Sequence, residues 1–154
     1  MASNIRSIMG ALRTKLQGIN GAGGYVNNLS GDDQVLLGEY GHPPRVPAVA
    51  VYPVGQLGTH GLQLGRYTRT MNFQIQGWVA ATSDAPSERV MAACDLLDDV
   101  MAAIEADRKL SGTVRDLIFD QVTAFNGDEA GIPGFGVIVV NLQVTWNVNS
   151  GGGT

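Results

Sequence analysis

Apolar side chains recur every three or four residues in two segments, and this spacing predicts two amphipathic helices. The first segment follows Ser3, a residue type that caps helices, and ends before Gly18. Its apolar positions are Ile5, Ile8, Met9, Leu12 and Leu16. The second opens with Ser83, Asp84 and Pro86 and is predicted to run to Ala106. Its predicted buried stripe consists of Val90, Cys94, Leu97, Met101 and Ile104, and Leu96 and Val100 widen it, which predicts that the helix lies across a sheet.

Alternating apolar and polar positions predict two long strands, each covered on one side only. In the first, residues 65–80, the apolar face comprises Tyr67, Met71, Phe73, Ile75 and Val79. In the last strand, the apolar face comprises Ile138, Val140, Leu142, Val144, Trp146 and Val148. The opposite faces of both strands carry Asn, Gln and Thr and almost no charge. Such a surface is either solvated, or meets another protein, or lines a pore.

Shorter apolar runs predict further strands over residues 25–29, 34–37, 48–52 and 114–125. Pro53 is expected to end the third of these, because proline lacks a backbone donor. Residues 55–65 contain four glycines together with Leu57, Leu62 and Leu64. This composition predicts a mobile hairpin arm that leads into the long strand.

The order of these elements predicts an α+β fold, with a mainly antiparallel sheet and two helices packed on one face. The chain has 154 residues and is 44% hydrophobic, which suffices for one ordinary core. We therefore expect a single α+β domain over residues 1–149. Residues 150–154, Ser-Gly-Gly-Gly-Thr, have little to bury and are expected to form a flexible C-terminal tail.

Composition narrows the classes of function. No segment approaches the roughly 18 to 20 apolar residues of a membrane-spanning helix, and Cys94 is the single cysteine. We therefore expect a protein of a reducing cytosol, or of a particle assembled there, without a membrane partner. The net charge of −4 argues against a general nucleic-acid coat, because phosphate binding needs a surplus of Lys and Arg.

The charges are unevenly spread along the chain. Residues 1–82 hold six basic and three acidic side chains, a net +3, whereas residues 83–154 hold four basic and eleven acidic ones, a net −7. If the halves lie on different faces, copies could attract one another. The alternative is chance combined with an acidic, solvated helix.

Residue types that carry chemistry are few. His42 and His60 lack a partner at metal-ligand spacing, and Cys94 lies on an apolar stripe, so surface and structural roles are the expected ones. Asp95, Asp98 and Asp99 are predicted to be solvated. The pair Asp128-Glu129 lacks the alternating ligands of a calcium loop, and the glycines of residues 21–24 follow a helix and indicate a turn. We predict no enzyme, no cofactor and no metal.

The arrangement of elements resembles the tail terminator, or tail-completion, proteins of long-tailed bacteriophages. The likeness spans most of the chain and is one of pattern. It is carried by the helix from Ile5 to Leu16, the strand Pro47–Pro53, the strand end Phe73–Val79, the helix opening at Asp84–Glu88 and closing at Ala106–Leu110, and the last strand up to Trp146.

The resemblance implies a structural virion protein of the tail and neck. Members of that family form a homohexameric ring that caps the tail tube, ends its polymerisation and joins it to the head connector. The partners implied are other copies of the chain, the tail tube protein and the head–tail connector proteins, with DNA only passing through the channel. The family has no catalytic residues to carry over.

The contact residues are predicted on physical grounds instead, because apolar side chains on a loop are costly to leave in water. The predicted contacts with a neighbouring subunit or with the tube are Gln56, Leu57, His60, Leu62, Gln63, Arg66 and Arg69. Three alternatives stay open: another neck or tail component, such as a head–tail stopper or tail tube subunit; a small-ligand or enzymatic domain; and a nucleic-acid-binding module.

Overall fold

The computed structural model describes residues 4–61 and 66–149 and confirms the predicted α+β fold. The two helices are α1 (Ile5–Gln17) and α2 (Pro86–Glu105). The strands are β1 (Val35–Leu37), β2 (Ala48–Gly61), β3 (Arg66–Ala80), β4 (Asp116–Asn126) and β5 (Phe135–Asn149), and a short 3₁₀-helix, Gly127–Ala130, follows β4. They form one sheet in the order β1-β2-β3-β5-β4. Its described strands pair antiparallel except for β1, which is parallel to β2.

The main core lies between the two helices and one face of the sheet, as predicted. The alternation read from the sequence is confirmed, because β5 buries every second side chain from Ile138 to Val148, and β3 buries Phe73, Ile75 and Val79 on the same side. Helix α1 packs against α2, β1 and β2, whereas α2 lies across β3, β4 and β5. The predicted tail, residues 150–154, lies outside the described residues.

Helix α1 begins one residue later than the sequence suggests. Its N-cap is Asn4, not Ser3: the Asn4 side chain accepts a hydrogen bond from the Ser7 amide at 2.8 Å, and the Ser7 hydroxyl accepts one from the Asn4 amide at 2.9 Å. This reciprocal pair is a capping box, which satisfies two amides that the first turn leaves free. Gly18 caps the C-terminal end, as predicted.

Strand β2 is much longer than predicted, and Pro53 does not end it. The Val49 amide donates to the Gln34 carbonyl and the Val51 carbonyl accepts from the Gly38 amide, both at 2.8 Å. The backbone N–H and C=O groups of Val49 and Val51 therefore point away from β3. Pro53 lies two residues after Val51, beyond the end of β1, and its backbone nitrogen also points away from β3. Its missing amide therefore falls on an open sheet edge, where proline is tolerated.

The buried side of α2 is rotated relative to the predicted stripe. Val90, Cys94, Leu97 and Met101 are only half-buried, although Leu96, Val100 and Ile104 are buried as predicted. The residues that face the core are Arg89, Ala93, Leu96, Asp99, Val100, Ala103 and Ile104. The prediction gave most weight to large apolar side chains. Alanines of α2 also face the sheet, because small side chains let the helix approach β3 closely at Gly77 and β5 at Gly136.

A second, smaller cluster lies on the opposite face of the sheet and was not predicted. Ala48, Trp78, Val137 and Phe125 occupy one cross-strand row, in which the first three are fully buried. One end of the sheet is thus apolar on both faces. The remainder of this outer face, away from the helices, is polar.

Candidate interaction surfaces

The residues predicted to contact a partner lie along the hairpin of β2 and β3. Gln56, Leu57 and His60 are in β2 and Arg66 and Arg69 are in β3, whereas Leu62 and Gln63 lie outside the described residues. Residues 58–61 pair in register with residues 67–70. This part of the predicted arm is therefore regular sheet, because β3 is held along its whole length by β5.

Two residues of the hairpin, Leu57 and Arg69, have side chains that favour contact with a partner. Leu57 lies in a bulge of β2, and 41% of its surface is exposed. Arg69 pairs with Thr59 and Trp146 across the sheet, and its buried Nε has no hydrogen-bond partner among the described residues. We refer to residues 57–61 and 66–69 as the hairpin tip.

The outer face of the sheet carries rows of uncharged polar side chains, as the sequence predicts. In one row, the Tyr52 hydroxyl donates to the Gln74 side-chain oxygen, and the Gln74 amide donates to Asn141 at 2.9 Å. The next contact along the face joins the hydroxyls of Thr70 and Thr145 at 3.3 Å. Burial raises the pKa of Tyr52, and the nearby charge of Glu39 raises it further. These bonds fix the polar side chains in place.

Strand β4 forms one lateral edge of the sheet and leaves Ile118 and Val122 about two-fifths exposed. Asp116 lies at its start, and Asp120 lies in the bulge that interrupts its pairing with β5. Charges and bulges are devices that protect a free edge.

The elements at the two lateral sides of the sheet differ in the charge that they carry themselves. Helix α1, on the β1–β2 side, carries Arg6, Arg13 and Lys15 and no acidic residue. Strand β4, on the opposite side, carries two aspartates and no basic residue. Between them, the exposed side of α2 is acidic. These charges are partly offset on each side, because Arg108 lies 3.9 Å from Asp116, Arg115 directly precedes β4, and Asp33 and Glu39 flank β1.

A depression of about 230 Å³ lies where the first half of α2 meets the end of β3. Its lining includes Val26 and Met91, whose surfaces are 68% and 62% exposed, together with Val79 and Ala92. Glu88 and Asp95 stand on the same face of α2, one turn to each side of Met91. We call this depression the socket.

A larger groove of about 400 Å³ separates α1 from the end of α2. Small side chains line most of it, among them Ala11, Ala103 and Ala106. At the same junction, Lys15 pairs with Asp107 at 3.1 Å. This bond, together with hydrogen bonds from the amide and hydroxyl of Ser111, lowers the pKa of Asp107. The groove thus lies beside the Lys15–Asp107 ion pair, which joins α1 to the end of α2 and is called the clasp below.

The residues considered for catalysis are not brought together. His42 is exposed in the loop before β2, and Cys94 is half-buried on α2. Across residues 4–61 and 66–149, no group of three or more His, Cys, Asp or Glu side chains could hold a metal ion.

Asp99 corrects the prediction that the aspartates of α2 are solvated, because only 4% of its surface is exposed. Its carboxylate accepts hydrogen bonds from the Val26 amide at 3.1 Å, the Asn27 amide at 2.8 Å and the Asn27 side chain at 2.9 Å. It thereby fixes the segment predicted as a strand, residues 25–29, which instead forms turns and one isolated bridge, Asn20 to Asn28. A helix-face pattern holds no signal for a carboxylate that binds a distant loop.

Arg89 is likewise a buried charge that the sequence pattern did not indicate. Its guanidinium hydrogen-bonds to Asp128 and lies 3.7 Å from Asp84. It therefore links the beginning of α2 to the 3₁₀-helix that follows β4.

No protein-family model matches the chain, and a comparison with curated proteins finds no match. Within the described ranges, no helix is long and apolar enough to cross a membrane.

Proposed function

We propose that this protein is a structural subunit of a bacteriophage tail, a tail terminator that assembles into a closed ring, caps the tail tube and joins it to the head connector. In this proposal the chain acts through surfaces and performs no catalysis. It belongs to the virion neck, is assembled in the host cytoplasm, and meets DNA only as it passes through the ring. Six copies are expected from the resemblance to terminator proteins.

The observation that supports this proposal most is the uncharged polar outer face of the sheet, on which Gln74 and Asn141 are fixed by hydrogen bonds. An ordered polar face of this kind can form part of a contact between copies. Head-to-tail contacts generate a ring when the rotation between copies closes. An uncharged polar sheet face is also consistent with a channel wall that does not retain a polyanion, because retention depends on Lys and Arg.

The direct test mixes the purified protein with tail tubes that lack a terminator and images the tubes by electron microscopy. The proposal expects density at one end of each tube and an arrest of further tube growth when tube subunits are added. Binding along the whole tube, or incorporation into its wall, would instead indicate a tube subunit. Binding only to the isolated connector would indicate a head–tail stopper.

The groove between α1 and α2 favours a second candidate, a small-ligand-binding domain, since its volume lies in the range of ligand sites. The two candidates differ in a simple way. A ligand site predicts that a small molecule raises the thermal midpoint without changing the native mass. A ring protein predicts a midpoint that rises with protein concentration.

A further inference from the structure

We infer that the hairpin tip of one copy docks into the socket of the next copy, and that this contact joins neighbouring subunits. The inference rests on the proposed function, because it requires an assembly of identical chains. It assigns a partner to two surfaces that the described part of the chain leaves without one.

The chemistry of the two surfaces is complementary. The socket combines exposed Val26 and Met91 with the carboxylates of Glu88 and Asp95. The hairpin tip combines exposed Leu57 with the guanidinium of Arg69. A leucine that enters an apolar depression while an arginine meets a carboxylate at its rim is a common arrangement at protein interfaces.

The charges on both surfaces are free to pair. Among the described residues, the ion pairs involve neither Arg69 nor the carboxylates of Glu88 and Asp95. Val26 and Met91 are also the two most exposed of the large hydrophobic residues in this part of the chain. An apolar patch with unpaired charges beside it is typical of an interaction surface.

A hairpin tip that fills a socket must belong to a different copy from that socket. The socket includes Val79 and Ala80, at the end of β3, whereas Arg69 lies near its start. Ala80 lies eleven positions after Arg69 on one continuous strand, a distance of roughly 37 Å at about 3.4 Å per residue. A tip therefore cannot reach the socket of its own chain. The contact joins opposite ends of two molecules and is head to tail.

The first experiment uses disulfide trapping in full-length protein in which Cys94→Ser removes the native thiol. Leu57→Cys and Met91→Cys are introduced together, and the assembled protein is oxidised and run on a non-reducing gel. A head-to-tail contact gives a ladder of linked chains, whereas each single-cysteine variant stops at dimers. A symmetric contact would also stop at dimers, so a missing ladder would contradict the inference.

The second experiment exchanges charges across the contact. Asp95→Arg and Arg69→Asp are each expected to raise the protein concentration needed for half-assembly by roughly tenfold or more, and the combined variant should recover most of that loss. Glu105→Arg is the matched control, since Glu105 is exposed on the same helix but outside the socket. The recovery in the double variant separates a lost contact from a folding defect.

The outcomes distinguish this inference from the proposed function. If the wild-type chain forms a ring but neither the ladder nor the charge recovery is seen, the socket assignment is wrong and the ring stands. If the wild-type chain remains a monomer, both fail together. A ladder with charge recovery supports the docking of tip into socket.

Discussion

At the scale of single residues, Asp99 makes hydrogen bonds that the sequence pattern does not indicate. It is buried in α2 and receives three hydrogen bonds from the segment at Val26 and Asn27. The amphipathic pattern placed it with Asp95 and Asp98 as a solvated residue, because a helical period records the face of a side chain and not its partner. Sequence alone could not have revealed the distant loop amides that it binds.

Replacing Asp99 with alanine should therefore destabilise the fold by about 2–4 kcal/mol, since charge-assisted hydrogen bonds are lost and two backbone amides are left unpaired. The free energy of unfolding in urea measures this change. Asp98→Ala is the matched control, because Asp98 is exposed on the same helix and should change stability by no more than about 0.5 kcal/mol. Equal effects of the two substitutions would contradict the anchoring role of Asp99.

Asp107 predicts a dependence of stability on pH. Its pKa is lowered mainly by the hydrogen bond with Lys15 and also by those from Ser111. A carboxylate whose pKa is lower in the folded state stabilises the fold above its unfolded value, about 3.8, and that contribution is lost as pH falls through the folded value.

We expect Asp107→Asn to be less stable than the wild type at neutral pH and to lose less stability between about pH 4 and pH 2. Urea midpoints measured across that range provide the test. Asp98→Asn, outside the clasp, should follow the wild-type curve. If Asp107→Asn also follows it, the Lys15–Asp107 clasp contributes nothing to folding.

At the scale of elements, the strands with strict alternation were predicted accurately. The sequence indicates correctly which side of β5 faces the core, because buried and exposed side chains alternate along a strand that is covered on one face. The prediction failed for β2, in which proline and glycine suggested an early end. There, pairing with β3 and an open edge at Pro53 override the local preference.

The close approach of α2 to the sheet gives the most discriminating test at this scale. A Cβ added at Gly136 would meet the carbonyl oxygen of Arg89 and the Cβ of Ala93, which are held by the helix backbone. We expect Gly136→Ala to destabilise the protein by about 1–3 kcal/mol, because an overpacked contact forces the helix away. The urea midpoint is the measurement.

Gly10→Ala is the matched control for that substitution. Gly10 lies inside α1 and a Cβ there would meet nothing within 4 Å. Since alanine favours helix relative to glycine, this variant should be more stable by about 0.5–1 kcal/mol. The two substitutions are thus expected to change the free energy of unfolding in opposite directions. A loss of stability in Gly10→Ala would contradict the open space around Gly10.

At the scale of the whole molecule, sequence sufficed for the fold class and for the existence of two unlike charged halves, but not for their placement. The sheet order puts α1 at one lateral side and β4 at the other, and no periodic pattern contains that order. The hairpin residues Leu57 and Arg69 were predicted as contacts from their chemistry. The socket was missed, since Val26 and Met91 come together only in the folded chain.

The proposed function requires a closed assembly of identical copies. The native mass of the wild-type protein, measured from nanomolar to high micromolar concentration, tests this most directly. We expect one discrete oligomer, six chains by resemblance to terminator proteins, that appears above a threshold concentration and dissociates at high salt, because the inferred contact pairs Arg69 with a carboxylate. A mass of one chain, 16.2 kDa, at every concentration would contradict it.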